Sequence, residues 1–125
     1  PVHIESNLYY NKALPFDREK NNIVDAQHDP EVTIEQIGNK TFLSIRINKS
    51  YKKLKTRLIT TAVLGNAFQT ETPFENNDGS SLMIDTDILN NSRGTELPKV
   101  GPFELLSLGM NRIKVFDNPN ILYAN

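Results

Sequence analysis

The clearest alternation of apolar and polar positions lies between Val32 and Ile47. In its second half, apolar residues occupy every other position from Leu43 onward, which is the period of two expected of a half-buried strand. The pair Gly38-Asn39 divides the stretch, and both residue types accept the positive φ that a two-residue hairpin turn requires. The pattern therefore predicts a β-hairpin with strands Val32–Ile37 and Thr41–Ile47.

Three further strands are predicted from short apolar stretches, at Arg57–Leu64, Ser81–Asp87 and Arg112–Phe116. Turns at Asp78-Gly79 and at Gly109–Asn111 would lead into the second and the third of these strands. This spacing favours antiparallel connections.

The remaining sequence contains little that indicates helix. Asn90–Pro102 is poor in apolar residues and rich in glycine and proline, so we predict a long surface loop there. Phe103–Leu108 is predicted to form one helical turn. Residues 31–125 therefore predict an all-β fold, an antiparallel β-sandwich of jelly-roll or immunoglobulin-like type.

Residues 1–30 differ from the rest of the chain. Evenly spaced apolar residues up to Tyr10 predict one short N-terminal strand. Lys12–Pro30 is polar and irregular, which is typical of a linker or wrapping arm. We therefore divide the chain into an N-terminal strand and arm, 1–30, and a sandwich domain, 31–125.

Composition excludes several classes of function. The chain has 125 residues, of which 38% are hydrophobic, so it can build one buried core. Its 14 basic and 15 acidic residues leave a net charge of -1, and we expect neither a nucleic-acid nor a membrane partner. The absence of cysteine excludes disulfides, thiolate nucleophiles and thiolate zinc sites, and two histidines exclude a three-histidine metal site.

Carboxylates are the candidate catalytic groups. Hydrolysis of a glycosidic bond uses two carboxyl groups about 5–10 Å apart. Asp85 and Asp87 would share one face of a strand, roughly 7 Å apart. Together with Asp78 they form a candidate calcium site, although Phe74 stands where the calcium-loop template needs an oxygen ligand. A polar strand end and a turn assisted by side chains explain the same residues without a ligand.

Aromatic and basic side chains are the candidate sugar-binding groups. Ring faces stack against the C–H faces of pyranoses, and without tryptophan the available rings are those of Tyr9, Tyr10, Tyr51 and Tyr123. Tyr51 lies in a basic run that could meet the carboxylates or sulfates of an acidic polysaccharide and consists of Lys49, Lys52, Lys53, Lys55 and Arg57. A solvated loop whose lysines protect exposed strand edges is the structural alternative.

Four motifs follow one another along the chain: Thr60–Gly65 (TTAVLG), Pro73–Gly79 (PFENNDG), Ile84–Asp87 (IDTD) and Gly101–Glu104 (GPFE). In this order they resemble the C-terminal region of secreted right-handed parallel β-helix proteins from Bacteroidetes, which are generally regarded as polysaccharide-degrading enzymes. The similarity spans roughly residues 7–116. The sequence departs from that family at Ile88–Asn91, where an aromatic residue and a glycine commonly follow the aspartates, so no role is carried over for this loop.

The stretch Asn7–Asn11 (NLYYN) is similar to the asparagine-containing strand of a last β-helical rung. The terminal rung of a solenoid exposes unpaired backbone groups and an apolar cross-section that a further domain must cover. The resemblance thus implies a non-catalytic accessory domain that caps or packs against an upstream β-helix of the same chain, in a secreted or periplasmic protein.

Two alternatives stay open. The first is a carbohydrate-binding module, and its candidate ligand-binding residues are Tyr9, Tyr10, Tyr51, Lys52, Lys53, Glu75 and Glu104. The second is a segment that contributes residues to a glycoside hydrolase or polysaccharide lyase active site in a longer chain, and its candidates are Glu75, Asp85, Asp87 and Glu104. We expect no cofactor apart from the candidate calcium ion and no enzymatic activity of the chain on its own.

Overall fold

The largest sheet of the protein is antiparallel and has three strands. A computed structural model describes residues 4–117, and this sheet comprises β3 (Thr33–Ile37), β4 (Lys40–Ile47) and β7 (Gly109–Asp117), with β4 in the middle. The predicted two-residue turn joins β3 to β4, and its Gly38 has a φ of 59°, which favours glycine. The predicted hairpin is therefore confirmed.

One face of this sheet is mostly apolar, and we call it the apolar face; it carries Ile34, Leu43, Ile113 and Phe116, with polar residues between them. Leu43 of β4 lies directly opposite Ile34 of β3 and Ile113 of β7, so the three side chains share this face. The burial is uneven, because Ile47 at the end of β4 is 4% exposed whereas Ile34 is 73% exposed. The apolar face is thus closed at the Ile47 end and open at the Ile34 end.

The opposite face of the same sheet is polar. Arg112 of β7 donates to Glu35 of β3 at 2.8 Å, and its guanidinium lies 3.8 Å from the centre of the Phe42 ring. Exposed ion pairs of this kind add little stability because water and salt screen them. This face is therefore ordinary solvated surface.

Two short strands near the N-terminus pair in parallel. β1 (Leu8–Tyr10) and β2 (Ile23–Asp25) pair residue by residue, so that Leu8 lies opposite Ile23. An isolated parallel bridge between Glu5 and Lys20 has the same separation in sequence and extends this pairing towards the N-terminus. The predicted N-terminal strand is confirmed. β2 lies inside the predicted arm and was not predicted, because three residues are too few to show a period.

The third sheet is smaller than predicted. β5 (Ile59–Thr60) pairs with a later strand, Met83–Ile84, and these are the only strand residues within the predicted strands Arg57–Leu64 and Ser81–Asp87. The first prediction was wrong beyond Thr60, because the Thr60 hydroxyl accepts a hydrogen bond from the Val63 N–H at 3.3 Å and caps a short helix. Local capping here outweighs the strand preference of β-branched residues.

Between residues 4 and 117 the helices are α1 (Ser50–Lys53) and α2 (Thr61–Leu64), and the Met83–Ile84 strand is β6. The predicted helical turn at Phe103–Leu108 is wrong, because these residues form no helix. The predicted turn at Gly109–Asn111 is also wrong, because β7 already begins at Gly109. The Asn111 side chain accepts from the Ser107 N–H and donates to the Ser107 carbonyl, at 2.9 and 2.8 Å. These bonds occupy the backbone groups that a helical turn would use.

The predicted loop over Asn90–Pro102 is confirmed, since it contains neither helix nor strand. Among the large apolar side chains of residues 4–117, those that are buried are Ile47, Tyr51, Leu54 and Phe103. The predicted class, an all-β sandwich, is confirmed. Within residues 4–117, neither four-residue helix has the length or apolar character needed to span a membrane.

Candidate functional site

A cleft of about 240 Å³ opens between three segments that are distant in sequence: residues 5–7, residues 56–59 and residues 98–101. A depression of about 150 Å³ shares Glu5, Ser6, Thr56 and Arg57 with it, so the two form one concave surface. We call this surface the N-terminal cleft. Its lining mixes polar side chains with apolar ones such as Ile84 and Val100, which is typical of sites that orient a small polar ligand.

An ion pair between Arg57 and Glu5 lies in the N-terminal cleft. The Nε and Nη2 atoms of Arg57 donate to the Oε1 atom of Glu5 at 3.1 and 2.8 Å. The Arg57 side chain is 58% exposed, whereas that of Glu5 is 21% exposed. A guanidinium has five N–H donors in a planar fork, so Arg57 can hold Glu5 and still offer donors to a ligand.

The walls of the N-terminal cleft are tied together by hydrogen bonds. The Asn21 amide donates to the Ser6 hydroxyl at 2.9 Å and to the Lys55 carbonyl at 2.7 Å. The Thr56 hydroxyl donates to the carbonyl of Pro98 in the facing loop. The cleft is therefore formed before any ligand arrives, which reduces the entropic cost of binding.

Glu104, a predicted ligand-binding and catalytic candidate, is held in the fold by hydrogen bonds and an ion pair. Its carboxylate accepts from the backbone N–H groups of Gly94 and Lys99 at 3.2 and 2.9 Å, and it pairs with Arg93 at 3.4 Å. Arg93 in turn donates to the Gly101 carbonyl at 2.9 Å. Because both charged side chains are largely buried in these contacts, the pair fixes the loop that forms one wall of the cleft.

Asp87 is a second predicted candidate that the fold uses structurally. Its carboxylate is 5% exposed and accepts from the backbone N–H groups of Leu89, Asn91 and Glu104 at 2.8–2.9 Å. Burial by itself would raise the pKa of Asp87, but these N–H groups and the Asn91 amide outweigh it and hold the pKa well below its usual range. Asp87 is therefore ionised at neutral pH and organises a turn.

The predicted pairing of Asp85 with Asp87 on one strand face is wrong, because β6 ends at Ile84 and Asp85 is exposed while Asp87 is buried. Asp78 accepts from the Ser80 hydroxyl and N–H at 2.6 and 3.0 Å, and both bonds lower its pKa. Among residues 4–117, no three acidic or histidine side chains come together as metal ligands, so the candidate calcium set is not assembled. Glu75 is exposed and lies at an isolated bridge to Ser81.

The tyrosines predicted as sugar platforms have structural contacts. Tyr51 is 4% exposed and donates its hydroxyl to the Phe103 carbonyl at 3.2 Å, so its ring face lies in the core rather than at the surface. Tyr10 is half-buried, and its ring meets that of His28 edge-on with centroids 4.4 Å apart. Tyr9 is also half-buried and donates to Glu19. The fourth candidate, Tyr123, lies outside the described residues.

The basic run is divided by the fold. Lys52 and Lys53 are exposed in the last turn of α1, whereas Lys55 and Arg57 line the N-terminal cleft. Sequence reasoning found Arg57 as part of this run but missed its partner Glu5. The two residues lie too far apart in the chain for any local pattern to connect them.

Comparison with known proteins finds similarity to one part of a longer solved structure. No protein-family model matches the chain, and neither does any curated protein. A solved structure, the complex structure of XylC with xylose, is similar at 34% sequence identity with a TM-score of 0.84. The similarity covers 93% of this chain but 18% of the XylC chain, so this chain corresponds to a minor part of a much longer protein.

Proposed function

We propose that this chain is an accessory β-sandwich module of a larger carbohydrate-active protein, and that it packs against the rest of that protein without catalysing a reaction. The proposal extends to a parent that is a polysaccharide-degrading enzyme, secreted or periplasmic. The observation that carries the packing role is the apolar face, which leaves Ile34 and Phe116 more than half exposed on one side of the main sheet. An uncovered apolar sheet face is typical of a surface that meets another domain.

The N-terminal strands support the proposal that the neighbouring domain is a parallel β-structure. β1 and β2 pair in parallel through a connection that contains no helix, whereas parallel strands in globular domains are usually joined through one. Stacked parallel strands with short helix-free connections are the repeating unit of a β-solenoid. In the proposed parent, β1 and β2 continue such a stack and the sandwich covers its end.

The likeness to XylC supports the carbohydrate part of the proposal. That protein is described in complex with xylose, and at 34% identity over 93% of this chain the shared region is more than a common fold class. The structural engagement of Asp87 and Glu104 favours an accessory role over one in which these carboxylates act in catalysis.

The test separates the two faces of the main sheet by single substitutions. The 125-residue chain and the remainder of the full-length protein are produced separately, and the dissociation constant between them is measured by calorimetry. Ile34→Lys puts a charge on the apolar face, while Thr33→Lys puts the same charge one residue away on the polar face as the matched control.

Burying an isoleucine side chain contributes about 1.5–3 kcal/mol, so Ile34→Lys is expected to weaken binding at least about tenfold. Thr33→Lys is expected to leave the dissociation constant within about twofold, since polar surface substitutions away from an interface have small effects. Wild-type affinity in Ile34→Lys, or no association of the wild-type chain, would overturn the packing proposal.

A further inference from the structure

The N-terminal cleft has features that the packing proposal does not use. It lies at the meeting point of residues 5–7, 56–59 and 98–101, and its lining includes none of the residues that define the apolar face. Its walls are held by the Asn21 and Thr56 side chains rather than by a neighbouring domain. It is a preformed concave surface with its own chemistry.

The charge of the N-terminal cleft is positive. Arg57, Arg93, Lys55 and Lys99 line it or the adjoining depression, against the single carboxylate of Glu5. The ion pair with Glu104 neutralises the charge of Arg93, and the ion pair with Glu5 neutralises that of Arg57. The positive charges of Lys55 and Lys99 therefore remain in excess. A partly enclosed positive surface raises the local concentration of an anion.

The other lining residues favour a sugar over a bare anion. The lining combines the polar residues Ser6, Asn7 and Thr56 with Ile84 and other apolar residues. A pyranose ring presents hydroxyl groups along its edge and C–H groups on its faces, so it needs both kinds of neighbour. At about 240 Å³ the cleft is smaller than the sites of drug-sized ligands, which are about 300–1,000 Å³, and its size suits one sugar ring.

We infer that the N-terminal cleft binds an acidic sugar unit, with the guanidinium of Arg57 donating to its carboxylate or sulfate and Lys55 and Lys99 adding to the attraction. Arginine suits this role because its fork matches the two oxygens of a carboxylate. Glu5 holds Arg57 in place through Nε and Nη2, at 3.1 and 2.8 Å, and leaves Nη1 to donate to a ligand. The inference rests on the carbohydrate part of the proposed function and assigns the ligand class.

The experiment measures binding of defined probes to the 125-residue chain by calorimetry. A trimer of galacturonic acid tests the carboxylate, a sulfated oligosaccharide tests the sulfate, and xylotriose is the neutral probe. Arg57→Gln removes the charge in the cleft, and Lys40→Gln removes an equivalent charge from the exposed start of β4, outside the cleft, as the matched control. Thermal unfolding followed by circular dichroism verifies that both variants fold.

We expect at least one acidic probe to bind more tightly than xylotriose, with an affinity that falls as salt rises. Arg57→Gln is expected to raise its dissociation constant about tenfold, the order of one charge-assisted hydrogen bond. Lys40→Gln is expected to leave the dissociation constant within about twofold. Equal binding of the neutral probe, no binding of either acidic probe, or an unchanged affinity in folded Arg57→Gln would overturn the inference. None of these outcomes changes the association measured with Ile34→Lys, so the two proposals fail separately.

Discussion

Tyr51 gives the sharpest test of how this fold uses its aromatic residues. Its side chain is only 4% exposed, and its hydroxyl ties α1 to the Phe103 carbonyl at 3.2 Å. A sugar platform would be exposed and its removal would leave folding unchanged. We therefore compare Tyr51→Ala and Tyr51→Phe with the wild-type chain.

The magnitudes follow from what each substitution removes. Truncating a buried aromatic side chain to alanine costs about 3–5 kcal/mol, because apolar burial is lost and a cavity remains. Tyr51→Phe keeps the ring and loses one hydrogen bond, which leaves the buried Phe103 carbonyl without its donor and costs about 1–2 kcal/mol. The first loss is a large fraction of the ~5–15 kcal/mol that stabilises a typical domain.

The hydroxyl also makes a prediction about alkaline pH. Burial, and next to it the Glu104 carboxylate, raises the pKa of Tyr51 to about 12. The unfolded chain titrates near the ordinary value of ~10, so the stabilisation is complete below that pH and is lost as pH rises from ~10 to about 12. Tyr51→Phe cannot ionise and should lose less stability over this range than the wild type.

Urea unfolding followed by circular dichroism measures both effects. At pH 8 we expect the free energy of unfolding to fall in the order wild type, Tyr51→Phe, Tyr51→Ala, and at pH 11 the gap between the first two should narrow. If Tyr51→Ala unfolds within about 0.5 kcal/mol of the wild type, the range typical of surface substitutions, then Tyr51 is not a core residue and the reasoning fails.

Two further predictions concern polar groups. Asp87→Asn places an amide N–H among backbone donors, so thermal unfolding should occur at lower temperature at pH 7. Because the folded pKa of Asp87 is lowered, its contribution is present above ~3.9 and lost as pH falls, so the difference between wild type and Asp87→Asn should shrink between pH 5 and 3. An equal difference at both pH values would contradict this. Thr60→Ala removes the cap of α2 and should cost about 1 kcal/mol in urea unfolding, whereas a change below about 0.3 kcal/mol would show that the cap is dispensable.

The predictions that succeeded depend on short-range geometry. The hairpin of β3 and β4 needs a two-residue turn with positive φ and an alternating strand, and both are visible between Val32 and Ile47. The strands Arg57–Leu64 and Ser81–Asp87 were drawn too long, because a side-chain cap at Thr60 and turns around Asp87 compete locally with strand pairing. Propensity indicates strand, but the available hydrogen-bond partners decide its length.

The candidate site was predicted in part. The basic run contained Arg57 and Lys55, which line the N-terminal cleft, but no sequence rule connects Arg57 to Glu5. The tyrosines and carboxylates were singled out for the chemistry that their side chains can perform. Whether such a side chain faces solvent or the interior depends on the packing around it, and for Tyr51 and Asp87 that packing leaves almost no exposed surface.

The order of residues by itself determined the all-β class, the hairpin and the long loop over Asn90–Pro102, because turns and alternation act between near neighbours in the chain. Only the tertiary structure decided the parallel pairing of β1 with β2, the exposure of the apolar face and the assembly of the N-terminal cleft. Each of these brings together segments far apart in sequence, and their contact energies depend on three-dimensional packing that no local pattern encodes.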